Sequence, residues 1–177
     1  MMAGPGAGKG TLSQMLMADG DYKYIGIGEI LRANVTDTQI SKIISSGNLV
    51  PDELVYDLVN QEISNGRDYI LDGFPRNLNQ AKWFVENYSE KYDIRVIYMF
   101  VPKELMLARI NKRLNSGAGR ADDADGEVIS RRLDAFYKTT MPAIDWLRNE
   151  KSISFNEINA CGDANSIYSD IISVLVK

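Results

Sequence analysis

The sequence has no histidine. That excludes Ser-His-Asp and Cys-His catalysis and any histidine-ligated metal site. Cysteine is almost as scarce. Cys161 stands alone, so no internal disulfide can form, and a reducing, cytoplasmic setting is expected. Long apolar runs are missing: Val96-Ile97-Tyr98-Met99-Phe100-Val101 is far too short to span a membrane, and the N-terminus carries no signal-peptide pattern. Neither repeats nor low-complexity segments occur. Basic charge is not in excess either. Against 24 acidic residues there are 20 lysines and arginines, a net charge of −4, with no basic stripe. This argues against a nucleic-acid surface but leaves room for a pocket in which a few arginines neutralise a small anion.

What is present fits one domain. The 177 residues are 45% apolar and 25% charged, enough to bury a sizeable core. Helical and strand patterns alternate, which predicts an α/β fold. Strands are expected at 22–27, 68–72, 94–101 and 152–155. Helices are expected at 12–17, 29–35, 39–45 (capped by Asp37 and stopped by Gly47-Asn48), 51–63, 80–88 (with Asn79 as its cap) and 102–114. Helix returns at 127–137, breaks near Pro142, resumes to 149, and follows Asp163 to 176. The segment 115–126, NSGAGRADDADG, is polar and glycine-rich and reads as a mobile loop.

The chain begins MMAGPGAGKGT. Gly4 to Thr11 reads as a loop whose backbone N–H groups close around phosphate oxygens. Side chains on Gly4, Gly6, Gly8 and Gly10 would block that approach or forbid its dihedrals. Lys9 adds a fixed positive charge, and the helix that follows adds its N-terminal dipole. The strict pattern is G-x-x-x-x-G-K-[ST]. Here Ala3 stands where its first glycine belongs, and Gly10 stands where the hydroxyl belongs, with Thr11 one residue late. A glycine-rich tail that binds nothing is the plain alternative. The Lys-Gly-Thr sequence leading into a helix, and the strand end Ile70-Leu71-Asp72-Gly73, weigh against it.

The G-x-G-K-G-T form resembles the nucleoside monophosphate kinases, and adenylate kinases among them. Other stretches agree. Gly28-Glu29-Ile30-Leu31-Arg32 resembles G-[DE]-L-L-R, and Gly47 to Asp52 resembles G-x-x-V-x-D. Asp72-Gly73-Phe74-Pro75-Arg76 matches D-G-[FY]-P-R. Arg109 and Arg113 fall on R-x-x-x-R, Gly119 to Asp123 on G-R-x-D-D, and Arg132-Leu133, Tyr137, Thr140 and Pro142 on R-L-x-x-[YF]-x-x-x-T-x-P. The likeness runs in order from Ala3 to about Val176.

The resemblance implies a doubly wound parallel β-sheet of about five strands, of the P-loop kinase kind. Its core would be 1–27, 62–114 and 127–177, its monophosphate-binding helical insertion 28–61 and its short lid 115–126. The reaction implied is reversible transfer of the γ-phosphate of MgATP to AMP, giving two ADP, by a monomer acting on small nucleotides without nucleic acid or membrane. Histidine is dispensable there, because phosphoryl transfer relies on positioning and positive charge. Arginine supplies both, through a planar fork that stays charged.

By resemblance, Gly4, Gly6, Ala7, Gly8, Lys9, Gly10 and Thr11 would hold the donor ATP. Arg32 and Arg76 would hold the acceptor phosphate. Arg113, Arg120 and Arg132 would surround the transferred group, and Arg109 would lie against the donor adenine. Leu49, Val50 and Gly73 would line the acceptor site, Asp72 would hold Mg²⁺ through water, and Asp122 and Asp123 would order the lid. Taken singly, most of these arginines read equally well as solvated helix faces, as Arg67, Arg95 and Arg148 do. Arg113 could pair with Glu104, Asp72 could end a strand, and Asp122-Asp123 could cap a helix. The family's usual spacing places Arg131 at the position after the lid. One inserted residue within 123–126 fits the run better and selects Arg132, with Arg131 in reserve. With one cysteine and no histidine, the zinc site of longer lids cannot form.

Gln80, four residues past Arg76, favours AMP, since an amide can present donor and acceptor to an adenine edge. An ordinary helix position is the alternative reading. Asn77 is common in UMP/CMP kinases, and Ile27 replaces the threonine usual in adenylate kinases. A pyrimidine acceptor therefore remains the second reading. A nucleotide-binding relative with impaired catalysis is the third. Its motive is Ala3, Ile27 and a first strand reduced to Met1-Met2-Ala3, which reads as truncated and should leave the sheet open at its interior.

Overall fold

A computed structural model describes residues 1–34, 38–64, 66–117 and 125–175. Among them are five strands: β1 (Met2–Ala3), β2 (Tyr22–Gly26), β3 (Asp68–Asp72), β4 (Arg95–Phe100) and β5 (Ser154–Asn159). Every strand pairing is parallel. β2 pairs with β3 from Tyr22↔Asp68 to Gly26↔Asp72. β4 pairs with β5 from Arg95↔Ser154 to Phe100↔Asn159. Met2 and Ala3 pair with Tyr98 and Met99. The strands thus form two sheets, β1-β4-β5 and β2-β3. Among the described residues the Met1 ammonium reaches across, donating to the Leu71 carbonyl at 2.6 Å. β1 therefore lies between β3 and β4 and fills only the upper end of that gap. Below it is a slot of about 400 Å³ walled by Ile70, Phe84, Ile94 and Val96.

The helices are α1 (Lys9–Asp19), α2 (Ile27–Asn34), α3 (Thr38–Ser45), α4 (Asp52–Glu62), α5 (Leu78–Tyr88), α6 (Lys103–Asn115), α7 (Gly126–Ala135), α8 (Met141–Asn149) and α9 (Ala164–Leu175). α1 packs with α9, and α5 with α8, over the strands. β4 is apolar without alternation because helices cover both its faces; Val96, Ile97, Tyr98 and Met99 are all buried. None of the described helices is long and apolar enough to cross a membrane.

Several expected boundaries move. α2 begins at Ile27, which is 2% exposed, so this side chain joins the core instead of ending β2. The cap of α5 is Asn77, not Asn79: the Asn77 side chain accepts the Gln80 N–H at 2.8 Å. β5 starts later than expected and runs to Asn159, because an edge strand with polar residues on its exposed positions shows no clean alternation. Helix does not break at Pro142. It continues through a π-helical turn, Phe136–Thr140, in which the Met141 N–H reaches the Phe136 carbonyl. Pro142 then sits in the first turn of α8, where its missing N–H is not needed. Asp163 does cap α9, accepting from the N–H groups of Asn165 and Ser166. Asp37 lies outside the described residues.

Candidate active site

The loop 4–11 leaves the end of β1 and turns into α1. Gly6 has φ +76°, and a Cβ on it would fall 2.7 Å from the Met106 carbonyl, so α6 sits too close for any side chain there. Gly8 caps α1 at φ +93°. Over Gly10 a Cβ would meet nothing within 4 Å, so the residue that departs from the strict pattern leaves open space above the loop. Lys9 folds back beneath it. Its Nζ donates to the Ala3 carbonyl at 3.3 Å and stands 3.9 Å from Asp72 Oδ1.

A cleft of about 380 Å³ opens over this loop. It gathers Lys9, Gly10 and Thr11 with Arg32, Asp72, Gly73, Arg76, Arg109, Arg113 and Arg132. Gly4 lies beneath it, against Met106. A recess of about 90 Å³ continues the cleft between α2, α3 and α5 and takes in Leu49, Val50 and Gln80; Gly28, Arg32, Arg76 and Arg132 line both spaces. Arg32 and Arg76 converge over Gly28, where a Cβ would lie 3.3 Å from one guanidinium and 3.2 Å from the other. The turn Gly73-Phe74-Pro75 sets Arg76: its Nε donates to the Gly73 carbonyl at 2.8 Å, and its own carbonyl accepts from Thr140 Oγ1 at 2.8 Å.

Arg109 spans two loops, donating to the Ala7 carbonyl at 3.4 Å and to those of Cys161 and Gly162 at 3.3 and 3.2 Å. Arg131 and Arg132 separate. Arg131 faces outward, bound to the Ser46 carbonyl at 2.8 Å and Glu127 at 3.3 Å, while Arg132 lines the cleft. Gln80 is 2% exposed. Its Oε1 accepts the Arg76 N–H at 2.8 Å and its Nε2 donates to Asp52 Oδ1 at 2.7 Å, where Asn77 Nδ2 also donates. Arg120, Asp122 and Asp123 lie outside the described residues.

Sequence reasoning missed Tyr24 and Asp52. The Tyr24 hydroxyl stands 3.1 Å from Asp72 Oδ2 and 3.3 Å from Glu29 Oε1. Burial, then the two carboxylates, push its phenol pKa well up, so it stays protonated and donates. Burial lowers the Met1 amino group to about 6, with Asp72 opposing and Lys9 adding to the shift. Asp72 Oδ1 is buried and accepts no hydrogen bond among the described residues. A hard, oxygen-seeking cation fits such an atom. No three acidic side chains gather there among the described residues, so Mg²⁺ would rest chiefly on phosphate oxygens and water with Asp72 behind them.

Concentrated positive charge on rigid backbone, without a histidine base, is what phosphoryl transfer requires. The class is that of the phosphate-loop nucleotide kinases. Comparison with known proteins narrows it. The family model for adenylate kinase matches residues 1–152. An adenylate kinase of Prochlorococcus marinus (strain MIT 9515) is 38% identical over 176 residues, covering 94% of this chain and 92% of its own. That of Bacteroides thetaiotaomicron is 34% identical over 183 residues, covering 98% and 95%. Human adenylate kinase isoenzyme 1 is 29% identical over 184 residues, covering 99% and 92%. The chain belongs to the adenylate kinase family. It is a phosphotransferase that moves the γ-phosphate of ATP, with Mg²⁺, to AMP to give two ADP.

Proposed function

We propose that the cleft holds the two nucleotides end to end, the donor over the loop and the acceptor over the recess. Loop N–H groups and Lys9 take the donor phosphates, with Arg109 beside the donor base. Arg32 and Arg76 hold the acceptor phosphate. Arg113, Arg120 and Arg132 surround the group in transfer. Leu49, Val50, Gly73 and Gln80 shape the acceptor pocket. Asp72 would hold Mg²⁺ through water, and the ion would supply positive charge to the phosphates. No residue need move a proton. The protein aligns two phosphates, supplies cations and shuts out water. The observation that carries this reading is the convergence of Arg32 and Arg76 over Gly28, because two planar forks aimed at one point suit the oxygens of one phosphate.

The core 1–27, 62–114 and 127–177 would stay fixed while the acceptor-binding region 28–61 and the lid 115–126 close over the substrates. The enzyme would act as a monomer in the cytoplasm. A coupled assay of ADP formation with AMP, UMP, CMP and dAMP tests the reading. AMP should give the highest kcat/KM. Lys9→Ala should lower kcat about a hundredfold or more while leaving the melting temperature intact. Faster turnover of UMP or CMP would move the acceptor to a pyrimidine, and absence of turnover with every acceptor would overturn the proposed roles.

A further inference from the structure

Asp72 has two oxygens in different company. Oδ1 faces Lys9 at 3.9 Å and accepts no hydrogen bond among the described residues. Oδ2 meets the Tyr24 hydroxyl at 3.1 Å. Carboxylate torsions are broad and roughly two-fold, so without a fixed partner on one oxygen the plane of the group would turn readily. Tyr24 is that partner. It projects from β2 on the same face as Asp72, because the register pairs Tyr24 with Ile70 and Gly26 with Asp72, and alternate residues share a face. Gly26 between them keeps the way clear: a Cβ there would fall 2.8 Å from the Tyr24 ring and 3.1 Å from Glu29 Oε2. Glu29 Oε1 reaches the same hydroxyl at 3.3 Å from the first turn of α2, the helix that carries Arg32.

We propose that Tyr24 is a positioning residue for phosphoryl transfer: its hydroxyl fixes the plane of Asp72, so that Oδ1 is presented to the cleft, and shares its single proton with Glu29, so that this orientation is tied to the seating of α2. The inference rests on the role given above to Asp72 and goes beyond it. One hydroxyl carries one hydrogen, so the two carboxylates compete for it, and Asp72, the nearer at 3.1 Å against 3.3 Å, holds the larger share. When α2 lies as seen here, both are in reach. When α2 swings away with its arginine, Tyr24 is left to Asp72 alone. The device senses the acceptor helix and acts on the donor side.

The test is Tyr24→Phe, which removes the hydroxyl and leaves the ring. Partners of this kind are worth about tenfold in metal affinity or activity. The affinity of the protein–ATP complex for Mn²⁺, followed by the electron paramagnetic resonance of the free ion, should weaken about tenfold, with kcat falling in parallel and the melting temperature within a few degrees. In an Asp72→Asn background the added Tyr24→Phe should change Mn²⁺ affinity by less than about twofold, since the group it orients is gone. A lowered melting temperature with unaltered Mn²⁺ affinity would make Tyr24 a structural residue only and overturn the proposal. Full additivity of the two substitutions would do the same. Should Asp72→Asn alone leave Mn²⁺ affinity unchanged, the role of Asp72 itself fails, and that of Tyr24 with it.

Discussion

Gln80 has a structural part that the contacts show and a specificity part that is proposed for it. Its amide is satisfied from both ends by the protein, Oε1 by the Arg76 N–H and Nε2 by Asp52. An amide oxygen has two lone pairs and an amide nitrogen two hydrogens, so one of each remains to meet the edge of a base entering the recess. The protein contacts fix which way the amide points, and so which edge it can read. Gln80→Ala should therefore do two things. It leaves the Arg76 N–H and the Asp52 carboxylate short of a partner, at a cost of about 1–3 kcal/mol of stability. It should also raise the KM for AMP about tenfold, the loss of one good hydrogen bond, while moving that for ATP less than about twofold. Denaturant melts and initial rates with each substrate varied in turn check both. Equal rises in the two KM values would take Gln80 out of the acceptor pocket and leave it only its structural part. Ile27 sharpens the point. With an isoleucine packed into the core at the start of α2, that position offers the base no hydrogen bond, and the proposed reading would leave more of the discrimination to Gln80.

Among the elements, α7 sends its two neighbouring arginines to different places. It packs against the end of α3, where Gly47 at φ +79° lets the chain turn away, and a Cβ there would crowd Arg132 Cγ at 3.0 Å and Val128 Cγ1 at 3.2 Å. That contact orients the helix so that Arg132 faces the cleft while Arg131 turns to Ser46 and Glu127. Arg132→Ala should lower kcat about a hundredfold or more, as removal of a transition-state charge partner does. Arg131→Ala loses one exposed pair and one carbonyl contact, worth no more than about 1 kcal/mol, with kcat within about threefold. Steady-state kinetics of the two variants side by side measure this, and a larger loss in Arg131→Ala would reverse the assignment. This helix also marks where the sequence could be read and where it could not. The loop, the strand end at Asp72 and the Gly47 stop are local signals, written in glycines, a lysine and turn residues that act within a few positions of themselves. A spacing argument selects Arg132, and α7 turns that side chain to the cleft. Tyr24 left no such mark. Its partner lies 48 residues away, and only the β2–β3 register, which depends on the packing of the whole sheet, brings the two side chains to one face. The π-helical turn was hidden for a similar reason: Pro142 announces a problem in hydrogen bonding, but the fold resolves it several residues upstream, at Phe136–Thr140.

Seen as a whole molecule, the strands fall into two halves joined through one short strand, and the slot below β1 is where the fold can be strengthened. Its walls are the facing edges of β3 and β4, whose backbone groups at 68–70 and 95–97 make no strand pairs with each other. The gap is one strand wide, since Met1 reaches Leu71 on one side while Met2 pairs with Tyr98 on the other. Three apolar β-formers, Val-Ile-Val, placed ahead of Met1 would continue β1 down this slot. Each residue fixed costs about 1–2 kcal/mol of backbone entropy. Against that, each buries a side chain worth about 1.5–3 kcal/mol and makes ladder bonds worth about 1 kcal/mol apiece. The balance favours the extended chain by a few kcal/mol, and at about 2–4 °C per kcal/mol the melting temperature should rise by roughly 5 °C or more. The pH dependence adds a signature. In a chain that begins at Met1, the amino group has a pKa of 8.0 when free in solvent and about 6 when buried. Between those values the unfolded state binds more protons than the folded one, so stability rises with pH; the penalty is fully present below about pH 6 and gone above about pH 8. Any extension turns this amine into an amide and removes the penalty. A Gly-Ser-Gly extension should therefore help at pH 6 and hardly at pH 8, whereas Val-Ile-Val should help at both and more at pH 6. Calorimetry of the three chains at the two pH values separates the effects. If Val-Ile-Val stabilises no more than Gly-Ser-Gly at pH 8, the slot does not accept a strand, and the two halves are held by the helices that cross them.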